Sequence, residues 1–303
     1  MNGKGQNALA WVFGILGVLA LMFIISKHYK NAISLEDTYI NILEKREVLS
    51  QIRINLLKSV EMEKDAVMAL TDEESQKFAD QSSAASSEVD VNLKQLHILI
   101  DKAPLQDERK FIGEFDSCWT EFRKLDQTIL ELAVQNTNLK AASLSVEQGS
   151  EAIGRFEHAL EEVGKFASGT PDEGGIEKSV CRAITAGLKI YNLHSPHIAE
   201  ASDEKMDLIE AQMKAEEGEV SRSLDELSRY NVEGGKEPLV QAITAFTDFM
   251  AVTEKVIKLS RQNSNIKSLE LSLGRKRKIT AQCDEVLASF QEAVQSRNFK
   301  ATR

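Results

Sequence analysis

The chain has 303 residues, a formal net charge of -10, 4 Pro, 16 Gly and 6% aromatic residues. So few helix breakers, and no period-2 run of β-branched residues bounded by turns, exclude a sheet protein and predict an all-α fold. Acidic residues spread along the whole length exclude nucleic acid as a partner.

Residues 1–7 read as an N-terminal tail. Ala8–Ser26, ALAWVFGILGVLALMFIIS, carries no charge. As a helix it spans about 28 Å, close to a bilayer's hydrocarbon core. Lys27-His28-Tyr29-Lys30 follows where a cleavage site would need small residues, so the segment reads as an uncleaved transmembrane anchor over 8–26. The Lys and Arg residues flanking it slightly favour a cytoplasmic body.

The first helix is expected over about 33–70. Its seam is Leu35, Tyr39, Ile42, Arg46, Leu49, Arg53, Leu56, Val60, Glu63, Val67 and Leu70, interrupted by three charged residues. Thr71-Asp72-Glu73 then caps a second helix over 73–101, with a run of small residues at Gln81–Ser87. Ala103-Pro104 separates it from a third, long helix over 105–166 that meets no strong stop. Ser168–Gly175, SGTPDEGG, is the strongest break in the chain. Helices over 176–200, 203–231 and 237–299 follow; Pro196 is expected to break or kink the last turns of the first of these.

The order medium, short, long then occurs twice, and the sequence repeats with it. Leu132–Ser145, LAVQNTNLKAASLS, recurs at Leu259–Ser272 as LSRQNSNIKSLELS. Glu88–Leu96 likewise matches Glu219–Leu227, and Thr71-Asp72-Glu73 matches Ser202-Asp203-Glu204. The expected domains are a first helical module over 31–167, a linker over 168–175 and a second module over 176–300. Six helices form two stacked four-helix-bundle-like modules sharing two long helices.

Asn136 and Asn263 stand where the apolar seams of the two long helices should continue. Two readings apply. Either they fix register between helices, in which case Asn136→Leu should stabilise the bundle, or they hydrogen-bond a ligand in the core. Arg53 sits on the first helix's seam, either as a boundary residue reaching water or as a fork for a carboxylate. Arg182 and Lys189 share one face seven residues apart. His194 and His197 have a spacing metals use, but no acid or Cys completes a set. The three cysteines, Cys118, Cys181 and Cys283, form no CxxC or zinc spacing and read as free thiols, which counts against an oxidising compartment. Arg275-Lys276-Arg277-Lys278 reads as a solvated face or an anionic-lipid contact. No catalytic set, metal site or cofactor loop is present, so the chain does not read as an enzyme.

Gln51–Asp65, QIRINLLKSVEMEKD, resembles the first periplasmic helix of the aspartate and serine chemoreceptors, where a membrane helix runs straight into it. That family's ligand arginines fall on Arg53, Lys58 and Met62; the last departs from the pattern. The six-helix plan resembles the helical bimodular sensor domain of chemoreceptors and sensor kinases. The resemblance implies a single-pass inner-membrane protein with a periplasmic body. It also implies a homodimer through the first helix, and a small organic acid or a periplasmic binding protein as ligand. The candidate ligand residues are Arg53, Lys58, Asn136, Arg182 and Asn263. No output domain follows the last helix, so the expectation is a sensory module lacking its own output. The competing expectation is a membrane-tethered helical scaffold that binds other helices.

Overall fold

The structure, a computed structural model, describes residues 37–102, 105–230 and 234–301. The apolar segment over 8–26 and the Ala103-Pro104 break lie outside the described residues. Among those described there is no strand, and no helix is long and apolar enough to cross a membrane.

Among the described residues, six helical rods follow one another. The first is α1 (37–68), the second α2 (Asp72–Lys102). The third is α3 (Gln106–Ala133), α4 (Thr137–Leu144), a π turn (Ser145–Gly149) and α5 (Ser150–Ala167). The fourth and fifth are α6 (Glu173–Ala199) and α7 (Asp203–Arg229). The sixth is α8 (Lys236–Gln262), α9 (Ser264–Leu271), a second π turn (Ser272–Lys276) and α10 (Arg277–Ala301). The long third helix is therefore not continuous as expected. It stops at Ala133, and the sixth stops at the equivalent place.

The residues group into two compact units. One takes in 37–61, Gln81–Arg123 and 278–301; the other takes in Met62–Asp80 and Lys124–Arg277. The sequence repeat divides the chain linearly, whereas compactness divides it by interleaved segments.

In the first unit, the apolar stripes of four helices meet. Leu49, Ile52 and Leu56 of α1 are buried, as are Val89 and Leu96 of α2, Phe115 and Phe122 of α3, and Leu287 and Phe290 of α10. Trp119 stacks on Phe122 with centroids 4.8 Å apart, and its indole N–H reaches Asp90 at 2.6 Å, so the ring is buried without orphaning its donor. Ser59 bonds to Ser82 and Ser86 at 3.2 and 2.8 Å, so the small-residue run lets α2 approach α1 closely. Cys118 of α3 and Cys283 of α10 are disulfide-bonded, their Cα atoms 5.7 Å apart. This corrects the reading of three free thiols; only Cys181, exposed, is free among the described residues.

The second unit's core lies between α5, α6, α7 and α8, around Phe156, Leu160, Ile190, Val220, Phe246 and Phe249. At Gly187 a Cβ would meet Ile153 and Phe156 at 3.0 Å, so the absence of a side chain sets how near α6 lies to α5. Pro196 does not end α6, which continues to Ala199. The side chain of His197 anchors that last turn, bonding to Ser260 of α8 at 2.5 Å and Glu210 of α7 at 2.8 Å.

Candidate functional site

The repeated motif forms one site in the second unit. Asn136 and Asn263 have φ of 50° and 57°, the left-handed region, and are the only non-glycine residues there among those described. Asparagine tolerates this conformation better than most side chains. Each therefore ends one helix and lets another begin immediately. A new helix exposes unpaired N–H groups at its start, and here each copy caps the other. The N–H groups of Thr137 and Asn138 donate to Ser264 Oγ and Asn265 Oδ1, both at 3.1 Å. Those of Ser264 and Asn265 donate to Thr137 Oγ1 and Asn138 Oδ1 at 3.0 and 3.2 Å. Two amide pairs close the box: Asn138 Nδ2 to Asn263 Oδ1 at 2.8 Å and Asn265 Nδ2 to Asn136 Oδ1 at 2.9 Å.

The box is tied outward as well. Asn136 donates to Asp72 at 3.0 Å, and Lys140 pairs with the same carboxylate at 2.9 Å. The Lys140 and Asn136 bonds hold the Asp72 carboxyl below its ordinary range. Asn263 donates to the Glu200 carbonyl at 2.9 Å and Asn138 to that of Ile198 at 2.8 Å. Lys140 and Lys267 cover the carbonyls of Gln135 and Gln262. Both asparagines are thus consumed by protein partners, which is the register-fixing reading in a stronger form.

A polar cluster lies at each π turn. At the first, His194 bonds to Ser145 through Nδ1 at 2.9 Å and to Thr253 through Nε2 at 3.0 Å. Burial, and then the nearby His197, push its imidazole down to about 4, so it is neutral. At the second, Lys276 pairs with Asp126 and both are 1% exposed. Glu63 lies in the same cluster, fully buried. Lys276 is thus not part of a solvated basic face, although Arg275, Arg277 and Lys278 are exposed. The box and both clusters were missed as a set; the equal spacing of Glu63, Asp126 and Lys276 with His194, Thr253 and Gly149 was the signal available.

Arg53 and Lys58 belong to the first unit. Lys58 is exposed. Arg53 forks onto Asp284 of α10, Nε to Oδ1 at 2.6 Å and Nη2 to Oδ2 at 3.1 Å. The guanidinium forks onto a carboxylate of the protein itself, where the fork reading had it hold a ligand's. Arg182 pairs with Glu219 at 2.8 Å and Glu226 at 3.4 Å, and Lys189 with Glu216 at 3.0 Å, so both fasten α6 to α7.

The antiparallel register that sets Arg53 opposite Asp284 sets Arg46, one heptad earlier on α1, opposite Gln291, one heptad later on α10. There the acid is missing. A cleft of about 470 Å³ opens at this level, lined by Leu43, Arg46, Glu47, Ser50, Gln291 and Gln295. Arg46 is half-buried and has no ion-pair partner among the described residues. No group of three or more His, Cys, Asp or Glu among the described residues is placed to hold a metal.

Paired helical rods and buried polar layers define an all-α module over the described residues. The chain belongs to the family of four-helix-bundle sensory modules for signal transduction, whose sequence profile matches residues 8–168. That family is a sensory family rather than an enzyme family. No curated protein and no solved structure matches the chain.

Proposed function

We propose that the chain is a membrane-anchored sensory module whose α1 face takes a small organic acid and pairs with a second copy. The observation that carries the reading is Arg46 opposite Gln291. A guanidinium whose register partner is neutral, in a cleft that also holds a hydroxyl, two amides and the Glu47 carboxylate that Gln51 engages, has the donors a carboxylate needs. Arg53 two turns away, already forked on Asp284, shows the same geometry with the acid supplied by the protein.

Two further observations support the wider reading. Ile40, Leu43, Ile54 and Leu57 lie on one exposed stripe of α1 at 40–54% relative exposure. Glu47 and Ser50 continue it at the same 3,4 spacing, as the seam of a helix pair would run. The Cys118–Cys283 disulfide suits an oxidising compartment, and so supports a body on the periplasmic side of the inner membrane, held by residues 8–26. A periplasmic binding protein could use the same α1 face. The fully bonded Asn box favours the scaffolding alternative at its own level, because it leaves no polar atom for a ligand. It does not bear on α1.

The test is a thermal-shift series on the full chain with acetate, succinate and citrate. A ligand of the folded state at a hundred times its Kd adds about 2.7 kcal/mol of stability. At least one of the three should raise the midpoint in wild type and not in Arg46→Ala. No shift from any of them would overturn the carboxylate assignment.

A further inference from the structure

The two polar clusters beside the Asn box occupy equivalent places in the repeat and carry opposite chemistry. Thr253, Ser272 and Lys276 follow Asp126, Ser145 and Gly149 by the 127 residues that separate Thr137 from Ser264. His194 follows Glu63 by the interval that separates Thr71 from Ser202. One cluster is neutral and satisfied: the imidazole of His194 has a hydroxyl on each nitrogen. The other gathers Glu63 from α1, Asp126 from α3 and Lys276 from the second π turn, each no more than 1% exposed.

The charges in that second cluster do not balance. Lys276 is bonded to Asp126. Neither carboxyl oxygen of Glu63 completes a hydrogen bond of good geometry, although the Ser272 hydroxyl lies near enough to act on it. Two buried carboxylates face one buried ammonium, Lys64 being exposed to solvent, and an ionised Glu63 would sit without a close partner in a site closed to solvent, where an unpaired ion is strongly disfavoured. A proton fits, and it removes the surplus charge.

We propose that Glu63 is a proton-binding site through which the module reads pH. Protonated, the cluster is neutral and the box layer is closed. Ionised, it carries a net negative charge that pushes α1, α3 and the π turn apart. The groups facing Glu63 are Lys276 and Ser272 from the π turn, Asp126 from α3, and Lys64 on its own helix. Burial and Asp126 raise the Glu63 carboxyl; Lys276, Ser272 and Lys64 oppose them without cancelling the rise. A carboxyl raised by folding stabilises most below its ordinary range and loses that contribution as pH climbs through its folded value.

The experiment is a pH titration of the full chain by infrared difference spectroscopy, following the C=O stretch of protonated carboxylic acid. Wild type should show one carboxyl titrating above the bulk of the carboxylates, and Glu63→Gln should lack it. Asp126→Asn should lower that midpoint, because Lys276 then turns to Glu63. Lys276→Gln should raise it. These two variants keep the proposal testable if Glu63→Gln does not fold. Amide protection factors over 137–144 and 264–271, corrected for the intrinsic pH dependence of exchange, should fall above the same midpoint in wild type. The proposal is overturned if wild type and folded Glu63→Gln give the same carboxyl band. It is also overturned if the two midpoints fail to move in opposite directions, or if the corrected protection factors do not change with pH.

Discussion

Asn136 stands out in the sequence by its place on the seam, and its left-handed conformation does not. Its seam position, three or four residues from each apolar neighbour, is the same whether the helix continues or stops and restarts in phase. The local signal was nonetheless present: an Asn that tolerates the left-handed region, followed by Thr or Ser and a second Asn, both good caps. What no single copy of the motif encodes is that the caps are exchanged between copies. The geometry reverses the expectation for Asn136→Leu. Leucine in the left-handed region costs about 1–2 kcal/mol. Losing the Asn136 amide also leaves Asn265 Nδ2 without its acceptor, at about 1–3 kcal/mol. The variant should lose about 2–5 kcal/mol in denaturant unfolding, where the register-fixing reading had it gain. Ser264→Ala, which removes only one cap, should lose about 1 kcal/mol.

His194 gives the residue scale a pH signature. Its folded value is lowered to about 4, so the unfolded chain binds the proton that the folded chain refuses. Stability is then complete above about pH 6.5 and falls as pH drops from there towards 4, by about 3 kcal/mol in all. Urea midpoints across this window should show the loss in wild type. His194→Gln should flatten it, whatever its effect on the absolute midpoint.

Among elements, rods, caps and the major breaks were legible because they rest on local chemistry: Ser202 caps α7, accepting from the N–H of Lys205 at 3.3 Å. Long-range pairings were not. Cys118 and Cys283 are 165 residues apart, and only the packing of α3 against α10 brings them together. In the chain-entropy view, a link closing so long a loop contributes up to about 5 kcal/mol. Reduction should therefore lower the thermal midpoint of the chain, and Cys118→Ala should be insensitive to reductant. An unchanged midpoint in reducing buffer would remove the disulfide from the account. The Arg53–Asp284 fork was hidden for the same reason. Both side chains are more than 30% exposed, so Arg53→Ala should cost only about 0.5–1 kcal/mol of stability.

At the scale of the whole molecule, the repeat supplies a common frame, and its departures from symmetry supply the chemistry. Equivalent positions hold Ala66, Ala79 and Ala133 in one half, and His197, Glu210 and Ser260 in the other. Arg46 opposite Gln291 departs in the same way from the Arg53–Asp284 pair. Arg46 and Arg53 sit on one seam, and only α10 tells which of them has a protein acid opposite it. In the proposed function Arg46 keeps a place for a carboxylate from outside. Calorimetric titration of the full chain with succinate and citrate, wild type against Gln291→Asp, tests it most directly. The substitution supplies the missing acid in the register of Asp284. Each lost charge-assisted bond is worth about 1.5–3 kcal/mol, so affinity should fall at least tenfold while the variant stays folded. Equal affinity in the two proteins, or no binding of either acid to wild type, would contradict it.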